Sequence, residues 1–259
     1  MAAPTITMLQ LKVRRGLAEG RINDIPVVRL RAEEDDTVVA NFPIHEYLIG
    51  GENTLKLYAA PHDPLDFAGF EARARVATFE HGEYMRFDAG LGYSDIAWSV
   101  DTAGRPVGQL FDFESRHRWM WERAPEQELN EAARERLDGF MARMIDAFAR
   151  RDPEPMLQAL EPAFTERALA YRPPQQVASL DDFAERLRSM PAEGWRVPDF
   201  VPSRGNYRLV CKRRLIDCVT PASEPLLANL AAPGADPPAP PWPFPMKVAF
   251  RDGDVVVVR

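Results

Sequence analysis

The sequence predicts a two-domain chain: an antiparallel, jelly-roll-like all-β sandwich over residues 1–124, and an α+β domain, helices followed by antiparallel strands, over residues 125–259. Three observations predict it. Short segments with apolar residues at every second position fill the first part, apolar spacings of three and four begin after Ala124-Pro125, and alternation returns near the C-terminus. The length of 259 residues exceeds the usual single-core size of about 100 to 200, which also favours two modules.

The first strand is "TMLQLKV", with Leu9, Leu11 and Val13 on one face and Met8, Gln10 and Lys12 on the other. Asn23-Asp24 can supply the positive φ angles of a tight turn, so Val27, Val28 and Leu30 are expected on the return strand. After the acidic loop "EEDD", "TVVANF" reads as another strand. Gly50, Gly51 and Asn53 read as a turn feeding a strand that buries Leu55 and Leu57. Further strands are expected at "FEARARVATF", "EYMRFD", "IAWSV" and "RWMWER".

From Glu126 to Arg150, Leu129, Ala133, Leu137, Phe140, Met141, Met144 and Phe148 recur at helical spacing. Asp152-Pro153 opens a second helix carrying Met156, Leu157 and Leu160, which Pro162 should end or kink. Ser179 and Asp182 stand at capping-box spacing before a third helix with Phe183, Leu187 and Met190 on its buried stripe. "YRLVCKRRLIDCV" holds one strand or two. "KVAFRDGDVVVVR" is a hairpin about Asp252-Gly253, and its unbroken Val255 to Val258 suggests a strand covered on both faces. Before it lies a proline-rich insertion, residues 231–245, with seven prolines that favour an extended backbone.

Two resemblances accompany these patterns. Residues 22–59, with "INDIPV" and "IHEYLIGGENTLKLYA", resemble segments of galactose-binding-like β-sandwiches, in which a similar G-x-N-x-L run leads into a core strand. In that fold the run is structural and the ligand loops lie elsewhere. "MIDAFARRDPEPMLQALEP" followed by strands looks like the helical opening of the nuclear-transport-factor-2 (cystatin-like) superfamily, from which the long insertion departs.

Composition narrows the function classes. At 46% hydrophobic and 27% charged, the chain is that of a globular protein. No apolar run approaches the ~18 residues needed to span a bilayer, and the start lacks the pattern of a signal peptide, so no membrane and a cytoplasmic location are expected. Net charge is −7, with 14 basic against 19 acidic residues before Pro125 and 18 against 20 from there on, which argues against nucleic acid as a partner. Arginine outnumbers lysine 28 to 4, a codon bias suggesting a GC-rich bacterial source. Cys211 and Cys218, placed on one strand, would lie about 23 Å apart, beyond disulfide reach.

Candidate chemistry is sparse. His45, His62, His81 and His117 show no metal-ligand spacing, and no nucleophile elbow, phosphate loop or dinucleotide glycine pattern occurs, so no cofactor, no metal and no catalytic residue are assigned. His62, Asp63 and Asp66 in "HDPLDF" could form an acid–base group, but read more simply as an Asx-type turn. Cys211 lacks an identifiable base and reads as a small core residue. Trp119 and Trp121 share one face of an expected strand and with Trp98 could make a stacking platform for a sugar or a partner, though sealing the junction between the two domains is the expected role. Trp242 and Phe244, in the pre-extended arm, are the candidate partner-binding residues, with packing on their own domain favoured.

The expected function is a non-catalytic bacterial cytosolic protein that binds another protein, as an accessory, adaptor or immunity-type factor. One alternative is a small-ligand binder or enzyme using a cone-shaped C-terminal pocket lined by Phe140, Met144, Phe164 and Tyr171 around one enclosed acid. Another is carbohydrate binding by the sandwich, which calls for an exposed aromatic row.

Overall fold

Asn23 and Asp24 adopt φ of 51° and 66°, which their short polar side chains tolerate, and so close the expected turn between two long strands. These are β1 (Thr5–Ile22) and β2 (Ile25–Pro43). The computed structural model describes residues 5–80, 82–115, 117–171, 178–193, 195–222, 224–231 and 242–258. The protein is mostly antiparallel β, with a near-closed sheet in the N-terminal half and three helices in the C-terminal half. The chain divides into two compact units, Met1–Trp119 and Met120–Arg259, and the division falls ahead of the composition change at Ala124-Pro125.

The six strands described in the first unit belong to one sheet, with β1 as its hub. A φ of 56° at Arg15 and a register shift between Arg14 and Gly16 interrupt β1 midway. Its second half pairs with β3 (Gly51–Pro61) and its first half with β4 (Glu71–Glu80), while β2 runs along the other edge of both. Gly16 permits this close approach, since a Cβ there would stand 2.4 Å from the carbonyl oxygen of Ala60. β5 (Leu91–Ala97) adds to β4 and β6 (Val107–Phe113) adds to β3. The two ends of the sheet meet where Ser94 Oγ donates to Gln109 Oε1 at 3.1 Å and Tyr93 packs on Phe111 and Phe113.

Burial follows the alternation of β1. Leu9, Leu11 and Val13 pack with Ile22, Leu55 and Leu57, while Met8 on the other face packs with Ala77 and Phe79. On the same face of β1 as Met8 sits a buried polar network. Gln10 Nε2 donates to Asn41 Oδ1 and to the Arg86 carbonyl, Asn41 donates to the Met85 carbonyl, and Arg75 donates to Gln10 Oε1 and to the carbonyls of Ala89 and Gly90. That network corrects one expectation: "EYMRFD" is no strand, because its carbonyls are taken by side chains instead of a neighbouring ladder. "RWMWER" is likewise a 3-10 turn over Met120–Arg123, so Trp119 and Trp121 do not share a strand face. "EEDD" remains inside β2 as the stretch between Ala32 and Thr37, unpaired where β1 shifts register.

In the second unit α1 (Glu131–Ala149) starts later than its periodicity suggests. Gln127 is held in extended backbone: its N–H donates to the Arg213 carbonyl at 2.6 Å and its Oε1 accepts the Phe250 N–H at 2.9 Å. Asn130 then caps the helix by accepting the Ala133 N–H. α2 (Glu154–Ala170) opens after Asp152, which accepts the Glu154 N–H, and runs on through Pro162 instead of ending there. Burial of Met156, Leu160 and Ala163 against the core outweighs the one lost hydrogen bond. α3 (Leu180–Ser189) has the expected Ser179–Asp182 capping box.

Seven strands complete this unit among the described residues: β7 (Trp195–Arg196), β8 (Tyr207–Val210), β9 (Leu215–Cys218), β10 (Leu227–Ala231), β11 (Trp242–Phe244), β12 (Met246–Arg251) and β13 (Asp254–Val257). They form a sheet in the order β13-β12-β9-β8 and a small one in the order β11-β10-β7. Phe140, Met144 and Phe148 of α1 meet Phe183, Ile216 and Val248 in the core. Lys247 and Asp217, cross-strand partners on β12 and β9, make a buried ion pair at 3.4 Å. Val255 and Val256 are only half-buried, so β13 is not covered on both faces as its unbroken valines suggested.

Candidate functional site

The i, i+4 geometry of α1 stacks Arg136, Phe140 and Met144 along one side, with Glu135 and Arg143 beside them. Pro155, Ala159 and Pro162 of α2 face this row, and the third wall is the hairpin from Gly253 to Val256. Together they enclose a groove of about 700 Å³. Two small residues, Gly139 and Ala159, leave the space between the helices unfilled. Arg136 fixes the hairpin to α1, donating to the Gly253 carbonyl at 3.0 Å with its guanidinium 5.0 Å from the Phe250 ring.

β13 is the edge of its sheet, and its register identifies which backbone groups are open. Val258 N–H donates to the Lys247 carbonyl at 2.8 Å, and Asp252-Gly253 is a two-residue turn. Residues 254, 256 and 258 therefore bond to β12, and the N–H and C=O of Val255 and Val257 point away from it. Phe250, opposite Val255, agrees: its N–H points away from β13, to Gln127. Neither Val255 nor Val257 has a hydrogen-bond partner on that side among the described residues. Val255 and Val256 direct their side chains to opposite faces, yet both line the groove, so the groove meets β13 along its edge.

The charges are segregated. Glu135 and Asp254 stand at the turn end, both exposed, and Arg143 lies about 12 Å further along α1. Among the described residues, the walls hold no histidine and no cysteine. Of the four residues expected around a cone-shaped pocket, Phe140 and Met144 line the groove. Phe164 packs on Phe183, and Tyr171 is buried at the end of α2. The buried acids described in this unit, Glu166 and Asp217, are elsewhere: Glu166 accepts the Met120 N–H and Asp217 pairs with Lys247.

The remaining candidates are dispersed. Asp63 accepts the Leu65 N–H and Asp66 the Ala68 N–H, as Asx turns do, while His62 hydrogen-bonds the Ala32 carbonyl. His45 Nε2 accepts the Thr7 N–H at 2.9 Å, and burial lowers its pKa to about 4. His117 packs against Trp119 in a T-shaped contact, and His81 lies outside the described residues. Cys211 sits in the turn between β8 and β9, not in a strand, so the two cysteines do not share one strand; both are free and buried, and burial pushes the Cys218 thiol well up. Trp119 and Trp121 are buried, and Trp98 is stacked on Phe67 with ring centres 5.7 Å apart. Among the described residues no group of three or more His, Cys, Asp or Glu could hold a metal, and no helix is long and apolar enough to cross a membrane.

Trp242 lies on β11, 9% exposed, with Phe148 and Phe183 around it, Arg186 over its ring at 4.3 Å and its N–H on Asn229 Oδ1. Phe244 is half-buried against Phe183. Prolines 233–241 of the arm lie outside the described residues. Sequence reasoning placed Phe140 and Met144 both on a packing stripe and around a candidate pocket, but did not find the α2 and hairpin walls; the available signal was a strong hairpin at the end of a sheet, beside helix positions occupied by glycine and alanine. No protein-family model matches the sequence, and no curated protein or solved structure matches it.

Proposed function

We propose that the chain is a non-catalytic protein-binding protein, of accessory, adaptor or immunity type, and that its partner docks in the α1–α2–β13 groove. The observation that carries this reading is the open edge of β13 facing a groove whose acids are exposed and whose described walls lack histidine and cysteine. Such a wall offers main-chain hydrogen bonds and apolar contact, the means by which proteins recognise one another. A cytoplasmic bacterial setting belongs to the same reading, supported by two free buried cysteines and the arginine bias. So does a sandwich-like scaffold domain over residues 1–124, supported by apolar clusters on both faces of β1.

The test is affinity capture from a lysate of the encoding organism, with the native chain and with Ala159→Arg, which fills the groove. A protein retained by the native chain and lost with a variant of unchanged melting temperature is the expected result. Equal retention by both would remove the groove from the reading, and no saturable retention would remove the reading. A second reading, a small apolar ligand, draws on Phe140 and Met144 in a volume suited to one. It predicts a melting-temperature rise with a metabolite extract freed of protein.

A further inference from the structure

Resting on that protein-binding reading, we infer that the partner enters as an extended strand that pairs with Val255 of β13, carrying a basic residue at the Glu135–Asp254 end and an acidic residue at Arg143. The register leaves one donor and one acceptor on Val255 directed at the groove. A ligand that satisfies both from one side must itself present an N–H and a C=O at strand spacing, as a peptide main chain does. A helix cannot, because its main-chain groups are consumed internally. Val257 has the same outward orientation but is buried, so the pairing starts at the half-buried Val255.

Two main-chain bonds set direction and register, while Phe140, Met144 and Pro162 supply apolar contact for alternate side chains of the incoming segment. The charges give it polarity. Arg136 is already engaged with Gly253 and Phe250, which leaves the exposed carboxylates of Glu135 and Asp254 at the turn end. Arg143 is exposed about 12 Å along α1, a separation that an extended segment covers in about four residues, which also returns its side chain to the same face. The occupant is therefore a short extended peptide, basic and acidic about four positions apart with β-branched or small residues between.

The test is selection of a displayed random-peptide library on the full chain, followed by affinity measurement with synthetic copies of the selected peptides. The expected peptides show the basic–apolar–acidic order. Methylating their backbone nitrogens one at a time should weaken binding about tenfold or more at the one position that donates to the Val255 carbonyl and spare the positions on either side of it, because one edge of the peptide is used. Arg143→Glu should exchange the acidic preference for a basic one, and being exposed it leaves folding intact. The inference is overturned if no single position is sensitive to methylation, if peptides bind Ala159→Arg equally well, or if none is selected. It is also overturned if the full chain dimerises in sedimentation and Arg143→Glu abolishes the dimer, since a second copy then occupies the edge. A partner captured from lysate and lost with Ala159→Arg, while no peptide is selected, leaves the protein-binding reading standing and the strand entry refuted. Failure of the capture itself refutes both.

Discussion

Asn53 carries the largest local burden of any residue quoted from the first unit. Its Oδ1 accepts from Ile49 N–H and Asn23 Nδ2, and its Nδ2 donates to the carbonyls of Ile49 and Gly51, all between 2.8 and 2.9 Å. Gly51 beside it sits at φ 91°, where a side chain is strained. Asn53→Leu should cost about 2 to 3 kcal/mol by leaving those groups unpaired, measured as a lowered urea midpoint without loss of partner capture. This turn was legible because glycine and asparagine act through their own backbone. His45 was not: nothing in the sequence around it signals burial. The unfolded chain takes up a proton at this histidine as pH falls below about 6.5, and the folded chain resists until about 4. The stability it contributes is complete above pH 6.5 and is lost progressively from there down through pH 4, on the order of 3 kcal/mol. His45→Gln should flatten that part of the stability–pH curve, read by denaturant melts at successive pH values. An unchanged slope would mean the imidazole is solvated.

At the level of elements, the legible ones owe their form to near neighbours. The Asp252-Gly253 hairpin and the Ser179–Asp182 capping box lie where expected, since turn and cap chemistry is contained in a few residues. The start of α1 and the passage of α2 through Pro162 escaped reading, because distant Phe250 and Arg213 set the first and core burial the second. The turn between β8 and β9 is the sharpest case. Cys211, Lys212 and Arg213 take φ of 52°, 51° and 64° with no glycine among them. What holds them is remote: the Arg213 carbonyl accepts Gln127 N–H, and Arg214 donates to the carbonyls of Glu122 and Ala124. Lys212→Gly should raise stability by about 0.5 kcal/mol, relief of a left-handed strain of about 1 kcal/mol being partly offset by a freer unfolded chain. Calorimetric melting checks it, and a lower melting temperature would show that Lys212 makes contacts worth more than the strain.

Across the whole chain, the antiparallel character and the three C-terminal helices were legible from periodicity, while the placement of unpaired edges was not, because edges depend on which strands meet. The groove inherits that blindness. The bonds from Arg214 to residues 122 and 124, and from Met120 to Glu166, also bear on where the second unit begins. A chain starting at Met120 should unfold about 2 kcal/mol higher than one starting at Pro125, in chemical denaturation of the two. Equal stabilities would restore the boundary suggested by composition. The placement of β1 has a consequence for biosynthesis. It emerges before its partners, and its hairpin partner is complete at Pro43, yet the edge that receives β4 waits until Glu80 has been added, about 2 to 7 s later at ordinary translation rates. Through that interval the nascent chain carries a long half-paired hairpin with an adhesive border, so crowded polysomes and slow codons between residues 43 and 80 set how much of the protein is lost to aggregation before it is ever released.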